Sequence, residues 1–139
     1  MIWFSDKLTL AELEARGKNT LVEHLAIHIT DIGADYLEGT MPVDDRTVQP
    51  ARILHGGASC VLAESLASIA GNCVVDPKTH YCVGLEINAN HIRSIKSGRV
   101  TGRARPLHLG RTTQVWEIRI EQDAKLVCIS RMTLAVLAR

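Results

Sequence analysis

Aromatic residues are scarce in this chain of 139 residues, since Phe, Trp and Tyr together make up only 4% of it. A surface that stacks on nucleic-acid bases needs exposed aromatic rings, so the shortage argues against that class of function. An excess of one charge is also lacking, because 16 basic residues face 15 acidic ones and the formal net charge is +1. We therefore expect no nucleic-acid partner and no attraction to an anionic membrane surface.

Long apolar runs and closely paired cysteines are lacking as well. No apolar run approaches the ~18 residues that a membrane span needs, and residues 1–7 do not resemble a signal peptide. We therefore expect a cytoplasmic protein without a membrane partner. Zinc and thioredoxin-like sites commonly use cysteines two residues apart, a spacing that does not occur here. We predict no metal site and reduced, buried thiols at all four cysteines: Cys60, Cys73, Cys82 and Cys128.

The composition, 46% hydrophobic and 22% charged, is typical of a globular protein with its own core. Hydrophobic periodicity predicts a short helix after a capping box at Thr9 and Glu12, a hairpin, one long apolar helix and four further strands. The predicted ranges are 10–16 for the short helix, 26–30 and 36–41 for the hairpin, 55–70 for the long helix, and 82–92, 98–106, 113–122 and 125–137 for the strands. Gly71-Asn72 should end the long helix. The pattern predicts a single α+β domain over residues 1–139, an antiparallel sheet wrapped around one long helix.

The long helix carries one carboxylate, Glu64, among Leu, Val and Ala residues. Burying a charge is costly, so a carboxylate in these surroundings needs a partner or a chemical task. The alternative is a solvent-facing helix edge or a structural ion pair. Cys60, Glu64 and Ser68 are spaced four residues apart and share one stripe of the helix. The Ser68 hydroxyl is therefore placed to orient Glu64 or an attacking water.

The long helix begins with His55-Gly56-Gly57. Unpaired backbone N–H groups and the positive end of the helix dipole favour an anion at such a position, and glycines allow a ligand to approach closely. An ordinary loop-to-helix junction is the alternative. Gly56 and Glu64 are eight residues apart, or about 12 Å along the helix axis. If both are catalytic, two antiparallel helices must meet across a two-fold axis, with each Gly56 facing the Glu64 of the other copy.

Several segments resemble one enzyme family. The run Gln49–Gly57, followed by Leu62-Ala63-Glu64, is similar to the hotdog-fold thioesterases of the PaaI-like superfamily. Further similar segments span essentially the whole chain: Met1–Trp3, Met41–Asp44, Val83–His91 and Pro106–Arg111. The resemblance implies a hotdog fold and hydrolysis of acyl-CoA or acyl-carrier-protein thioesters with an aromatic or medium-chain acyl group. Coenzyme A is then part of the substrate, and no separate cofactor is implied.

The resemblance also implies roles for individual residues. Glu64 matches the nucleophile or general base, and the Gly56 N–H matches the donor to the thioester oxygen. Gln49 matches a residue that positions that carbonyl, His55 one that holds the substrate or leaving group, and Ser68 the hydroxyl one turn after the glutamate. Segments that contact CoA match eight residues of this chain: Gly84, His91, Arg93, Ser94, His108, Leu109, Gly110 and Arg111. The implied assembly is a homodimer with shared sites, pairing further into a homotetramer.

One departure from the family pattern and two alternative functions accompany this interpretation. Ala51-Arg52 stand where the family usually has an aromatic residue and a glycine, which alters the loop beside the acyl pocket. Among the arginines available for CoA phosphates, Arg93 and Arg111 lie in matching segments, whereas the others fit a solvated strand face.

An acyl-thioester hydratase or dehydratase would place a His or Asp base differently. A non-catalytic acyl-CoA binding module would bind the thioester without consuming it.

Overall fold

The computed structural model describes all 139 residues, and it consists of one six-stranded antiparallel sheet and three helices. The strand order is β1-β2-β4-β5-β6-β3, which leaves β1 and β3 at the edges. The helices are α1 (Leu10–Arg16), α2 (Leu21–His24) and α3 (Gly56–Val74), and the strands are β1 (His28–Ile32), β2 (Leu37–Pro42), β3 (His80–His91), β4 (Arg99–Leu109), β5 (Thr113–Gln122) and β6 (Lys125–Ala138). The predicted α+β hotdog architecture is confirmed.

Helix α3 packs on one face of the sheet and forms the centre of the core. Its sheet-facing positions are Leu or small residues, and Leu62, Ala63, Leu66, Ala67 and Ala70 are fully buried. Strand β4 shows the complementary alternation: its apolar and small residues face the helix, while Arg99, Arg103 and Arg105 lie on the outer face. A period of two therefore separates core from solvent along this strand, as predicted.

A glycine pair in the sheet fixes where α3 lies. Gly39 of β2 is paired with Gly102 of β4, and the Leu66 side chain rests over both of them. A Cβ atom added at either glycine would lie 2.8 Å from a Leu66 methyl carbon. Because Gly39 and Gly102 have no side chains, the sheet surface has a depression at this pair, and Leu66 of the helix packs into it.

The predicted end of the long helix is wrong, because α3 continues through Gly71-Asn72 to Val74. Gly71 serves close packing here, since a Cβ atom would lie 2.3 Å from Leu134 Cδ1. Asn72 joins the helix to the edge strand: its side chain accepts a bond from Cys82 N at 2.8 Å and donates to Cys82 O at 3.2 Å. Both residues resemble helix stop signals in the sequence but hold the helix against the sheet.

The first predicted strand is displaced by two residues, because β1 begins at His28 rather than at Ala26. Ala26 has φ +50, a left-handed conformation that interrupts an extended strand. The predicted turn at Asp123-Ala124 is confirmed, since both residues have positive φ, which suits a two-residue hairpin.

By length and mean hydropathy alone, α3 would qualify to cross a membrane, with a mean hydropathy of 1.2 over 18 residues. Half of that window is buried inside the fold, as in the core helix of a globular protein.

The four cysteines differ in burial. Cys73, Cys82 and Cys128 are buried as predicted, whereas Cys60 is only partly buried. Burial raises the pKa of the Cys128 thiol to about 11 and, together with the charge of Glu64, raises the pKa of Cys60.

Candidate active site at the start of the central helix

The first turn of α3 presents one unpaired backbone donor. His55 caps the helix: its Nδ1 accepts a bond from Gly57 N at 2.8 Å, and its carbonyl accepts from Ala58 N and Ser59 N. The Gly56 N–H has no partner within the chain. Because Nδ1 of His55 is an acceptor, the neutral ring carries its proton on Nε2 and can donate outward. The one free backbone N–H at the start of α3, that of Gly56, therefore lies at the positive end of the helix dipole.

The loop before the helix positions Gln49. Its backbone N–H donates to Ile53 O at 2.9 Å, and its carbonyl accepts from Arg52 N at 2.8 Å. The side-chain oxygen Oε1 accepts from Ala51 N, so this amide is oriented with Nε2 as its free donor. The hydrogen bonds of Gln49 thus stabilise the turn that contains it, and they leave its side-chain N–H₂ free as a donor beside Gly56.

A cavity of about 280 Å³ lies at this junction. Its lining includes five of the residues predicted to bind or polarise the substrate: Gln49, Gly56, His91, Arg93 and Ser94. The His91 ring lies against the helix start, because a Cβ atom at residue 56 would be 2.7 Å from His91 Nε2. A side chain at position 56 would therefore require the His91 ring to move. The complete lining contains polar donors and apolar residues but no Asp or Glu.

Glu64 lies elsewhere, two turns along α3. Its carboxylate is exposed, forms no hydrogen bond or salt bridge within the chain, and lies next to β3. A Cβ atom at Gly84 would be 3.1 Å from Glu64 Oε1, so Gly84 clears space for this carboxylate. Within the chain, Glu64 is therefore neither a buried charge nor part of a structural ion pair, and its exposure agrees with the solvent-facing helix edge predicted as the alternative. The carboxylate is free, on the side of the helix that faces the unpaired edge of β3.

Ser68 lies one turn beyond Glu64, as predicted, and its hydroxyl has no hydrogen-bond partner in the chain. It lines the largest cavity, about 610 Å³, between α3, the N-terminal segment and the C-terminus. Sequence reasoning missed this cavity. Its walls come from residues as distant as Phe4 and Arg139, and no local spacing marks them as neighbours.

The predicted CoA-contact segment 108–111 is not brought to either cavity. It forms the exposed turn between β4 and β5, and strand β6 separates it from Gly84 on β3. His108 packs against Gly110 within the turn, while Leu109 and Arg111 are exposed. A role for these residues in CoA binding stays a prediction. On the outer face, Arg103 pairs with Glu38 and Arg105 with Asp35, which agrees with a solvated strand face.

Arg52 has φ +63, in the left-handed region that favours glycine. The expectation that Ala51-Arg52 alter this loop therefore has a physical basis, since a non-glycine residue is strained at this turn. The Arg52 guanidinium extends away from the cavity and forms an ion pair with Asp45.

Known proteins are similar to this chain in both fold and sequence. The thioesterase superfamily model matches residues 51–129. The 1,4-dihydroxy-2-naphthoyl-CoA hydrolase of Escherichia coli K12 is 52% identical over 138 residues, covering 99% of this chain and 100% of that protein. The proofreading thioesterase EntH of Cronobacter turicensis is 49% identical over 139 residues and 99% of each chain. A thioesterase of Pseudomonas aeruginosa, crystallised as a Q49A mutant, superposes with a TM-score of 0.97 at 48% identity, over 100% of both chains.

The fold, the helix start and these similarities define a class: the chain belongs to the thioesterase superfamily, in its hotdog fold. More particularly, it is a thioester hydrolase, as the resemblance implied.

Proposed function

We propose that the protein hydrolyses acyl-CoA or acyl-carrier-protein thioesters at a site built from two copies of the chain. The proposal rests on one observation: the hydrogen-bond donors and the carboxylate that the reaction needs lie far apart within one chain. The cavity at the start of α3 holds carbonyl-polarising donors but no carboxylate, while the one carboxylate of α3 is unpaired and lies two turns away. Neither half is sufficient alone, because hydrolysis of a thioester needs a polarised carbonyl and a base or nucleophile together.

The separation is too large to close within one chain. Eight residues of helix correspond to about 12 Å, whereas a reacting pair must come within about 3.5 Å. A second copy related by a two-fold axis supplies the missing half. Its α3 would run antiparallel to the first, and each Gly56 would face the Glu64 of the other chain.

The free edge of β3 offers the surface for this pairing, because β3 has twelve residues and a neighbour only on its β6 side. Gly84 marks the position of Glu64 along β3, and His91 marks that of Gly56. Leu85 is the extra residue of a bulge, so six ladder steps separate Gly84 from His91 and their midpoint is Asn88. A two-fold axis at Asn88 sets each Gly84 opposite the partner's His91 and brings the two half-sites together.

The same axis can be described from the helix. The residue midway between Gly56 and Glu64 is Cys60, which is the partly buried cysteine of α3. Two antiparallel copies of α3 would therefore cross at Cys60 while two copies of β3 pair at Asn88. The two midpoints agree on one isologous arrangement of the chains. We also propose that these dimers pair through the outer faces of their sheets.

In this site the thioester oxygen accepts hydrogen bonds from Gly56 N–H and Gln49 Nε2. As the carbonyl is attacked, its oxygen gains negative charge beside the positive end of α3. A fixed donor at such an oxyanion is worth about 3 kcal/mol of transition-state stabilisation. The thiolate of CoA then leaves readily, because thiol pKa values are near ~8.5. Arg93 and Ser94 are placed to hold the polar part of the CoA chain.

Glu64 of the second copy supplies the attacking group by one of two routes. It either adds to the carbonyl to give a mixed anhydride, which water then hydrolyses, or it takes a proton from an attacking water. The Ser68 hydroxyl, one turn further on, orients the carboxylate or that water. A single turnover in H₂¹⁸O tests for the anhydride, because ¹⁸O enters the Glu64 carboxylate only when water attacks the Glu64 carbonyl of a mixed anhydride, whereas attack on the acyl carbonyl puts the label in the product acid by either route.

The acyl group extends from Glu64 towards Ser68 and into the 610 Å³ cavity. This volume is within the range of pockets that enclose small organic ligands, and much of its lining is apolar. An aromatic or medium-chain acyl group fits these properties.

Mixing two inactive variants tests the proposal. Gln49→Ala and Glu64→Ala should each lower kcat/KM by about 100-fold or more. Gln49→Ala is preferable to a substitution at Gly56, where any side chain would meet His91. After the chains exchange, half of the dimers are mixed and each has one intact site, so activity should return to about 25% of wild type.

A mixture that exchanges subunits but recovers no activity would contradict the shared site. Release of free thiol from benzoyl-CoA and hexanoyl-CoA measures hydrolysis directly. A hydratase would instead change the absorbance of crotonyl-CoA, and a binding module would retain acyl-CoA without releasing thiol.

A further inference from the structure

The cavity of about 610 Å³ beside Ser68 combines apolar side chains with a rim of exposed basic side chains. Its lining contains five apolar side chains around Ser68, together with three basic ones and no Asp or Glu. The apolar residues are Phe4, Leu8, Ile69, Cys73 and Val75, and the basic residues are Arg16, His80 and Arg139. A cavity built only for hydrocarbon would not need this rim, since a cation beside apolar surface loses hydration without gaining a partner.

The two arginines of the rim have no carboxylate partner. Five other arginines form salt bridges elsewhere in the chain, whereas Arg16 and Arg139 form none. The Arg16 guanidinium makes only a long contact, 3.5 Å from Nη1 to the Cys73 sulfur. The Arg139 guanidinium lies over the Tyr81 ring at 5.3 Å. Both groups therefore keep most of their donors free at the edge of the cavity.

The contacts of Arg139 keep it at the rim. Its backbone N–H donates to Thr79 O at 2.9 Å, which fastens the last residue of the chain to the segment before β3. Arg16 is in the last turn of α1, where a basic residue is favoured by the helix dipole. Two separate elements thus present guanidinium groups to one apolar space that begins at Ser68.

We infer that this cavity takes acyl groups whose far end carries a carboxylate, so that the preferred substrates are thioesters of dicarboxylic acids. The inference rests on the proposed function, because the thioester must lie between Glu64 and the partner's Gly56. The apolar stem of such an acyl group would cover Ile69 and Leu8, and its terminal carboxylate would accept hydrogen bonds from Arg16 and Arg139. Arg matches a carboxylate by its planar, two-pronged geometry.

The test compares adipoyl-CoA with hexanoyl-CoA, which have acyl chains of equal carbon number and differ in the terminal carboxylate. Wild-type enzyme should have the higher kcat/KM for adipoyl-CoA. Arg16→Met should lower that value about fivefold to tenfold through KM, and should leave hexanoyl-CoA within about twofold. Arg16→Lys keeps the charge and should recover part of the loss. Added KCl should weaken the adipoyl-CoA reaction more than the hexanoyl-CoA reaction, because both substrates share the CoA phosphates but only adipoyl-CoA has the terminal carboxylate.

The outcomes separate this inference from the proposed function. Hydrolysis of neither thioester by the wild-type enzyme would overturn the proposed function itself. Efficient hydrolysis of hexanoyl-CoA, with an adipoyl preference that is absent or is unchanged in Arg16→Met, would overturn the carboxylate site alone. Arg16 is exposed on a short helix that tolerates Met, so equal thermal stability of the variant and the wild type serves as the folding control.

Discussion

A disulfide at the proposed two-fold axis gives the sharpest test of the shared site. The proposed pairing of two β3 strands would set Asn88 opposite Asn88 of the second copy, and directly opposed residues of antiparallel strands have Cα atoms about 4.5–5.5 Å apart. That distance is within the range of about 4.4–6.8 Å that a disulfide spans. Asn88→Cys, made together with Cys60→Val to remove the partly buried thiol, should therefore cross-link the two chains under mild oxidation.

Glu86→Cys in the same background is the matched control. In this register Glu86 is opposite the partner's Asn90, so the two copies of residue 86 are four ladder steps apart, or about 13 Å. No disulfide can form over that distance. Non-reducing gel electrophoresis measures the cross-linked fraction, and light scattering checks that both variants keep the oligomeric state of the wild type.

The cross-linked enzyme should also remain active. Asn88 is exposed and points away from α3, since its neighbours Ile87 and Ala89 face the helix, so the disulfide would lie outside both cavities. Equal cross-linking of the two variants, or none in Asn88→Cys while dimers persist, would refute the register and with it the two-copy geometry.

Three further predictions concern stability. Gly71→Ala should lower the free energy of unfolding by about 1–3 kcal/mol in urea titrations, because the new methyl group would overlap Leu134. Arg52→Gly should raise it by about 1 kcal/mol by relieving the left-handed strain, and a destabilised variant would contradict this reading. Hydrogen bonds from Arg46 lower the pKa of Asp44 from 3.8 to about 2, so this carboxylate stabilises the fold above pH 4 and ceases to do so as the pH falls through 2. The stability advantage of wild type over Asp44→Asn should therefore disappear between pH 4 and pH 2, and an advantage that persists below pH 2 would show that the charge is not its source.

Much of the fold was predictable because its signals are local. The capping box at Thr9 marked α1, and the alternation along β4 separated its charged face from its buried one. The errors arose where a residue serves distant packing instead of its usual local role. Gly71 looks like a helix terminator but makes room for Leu134, and the left-handed Ala26 delays the start of β1.

The candidate site was predictable only in outline. Helix geometry implied that a site using both Gly56 and Glu64 needs two chains, and the structure brings Gln49, His91 and Gly56 together around one cavity. Which backbone donor is free depends on the orientation of the His55 ring, which a sequence does not specify. The cationic rim at Arg16 and Arg139 joins the two ends of the chain, so no spacing rule could reveal it.

The contact of Leu66 with two glycines of the sheet fixes the position of the central helix. Leu66 can neither slide along the sheet nor rise from it without losing its fit between Gly39 and Gly102. A methyl group gained at either glycine would have to be matched by atoms removed at Leu66, so the three positions can change only in concert. A substitution at either glycine that displaces Leu66 would shift α3, and with it the Gly56 amide relative to the carboxylate that the proposed site takes from a second copy. Such a change, nearly three helical turns from Gly56, should therefore slow catalysis even where it leaves the protein folded.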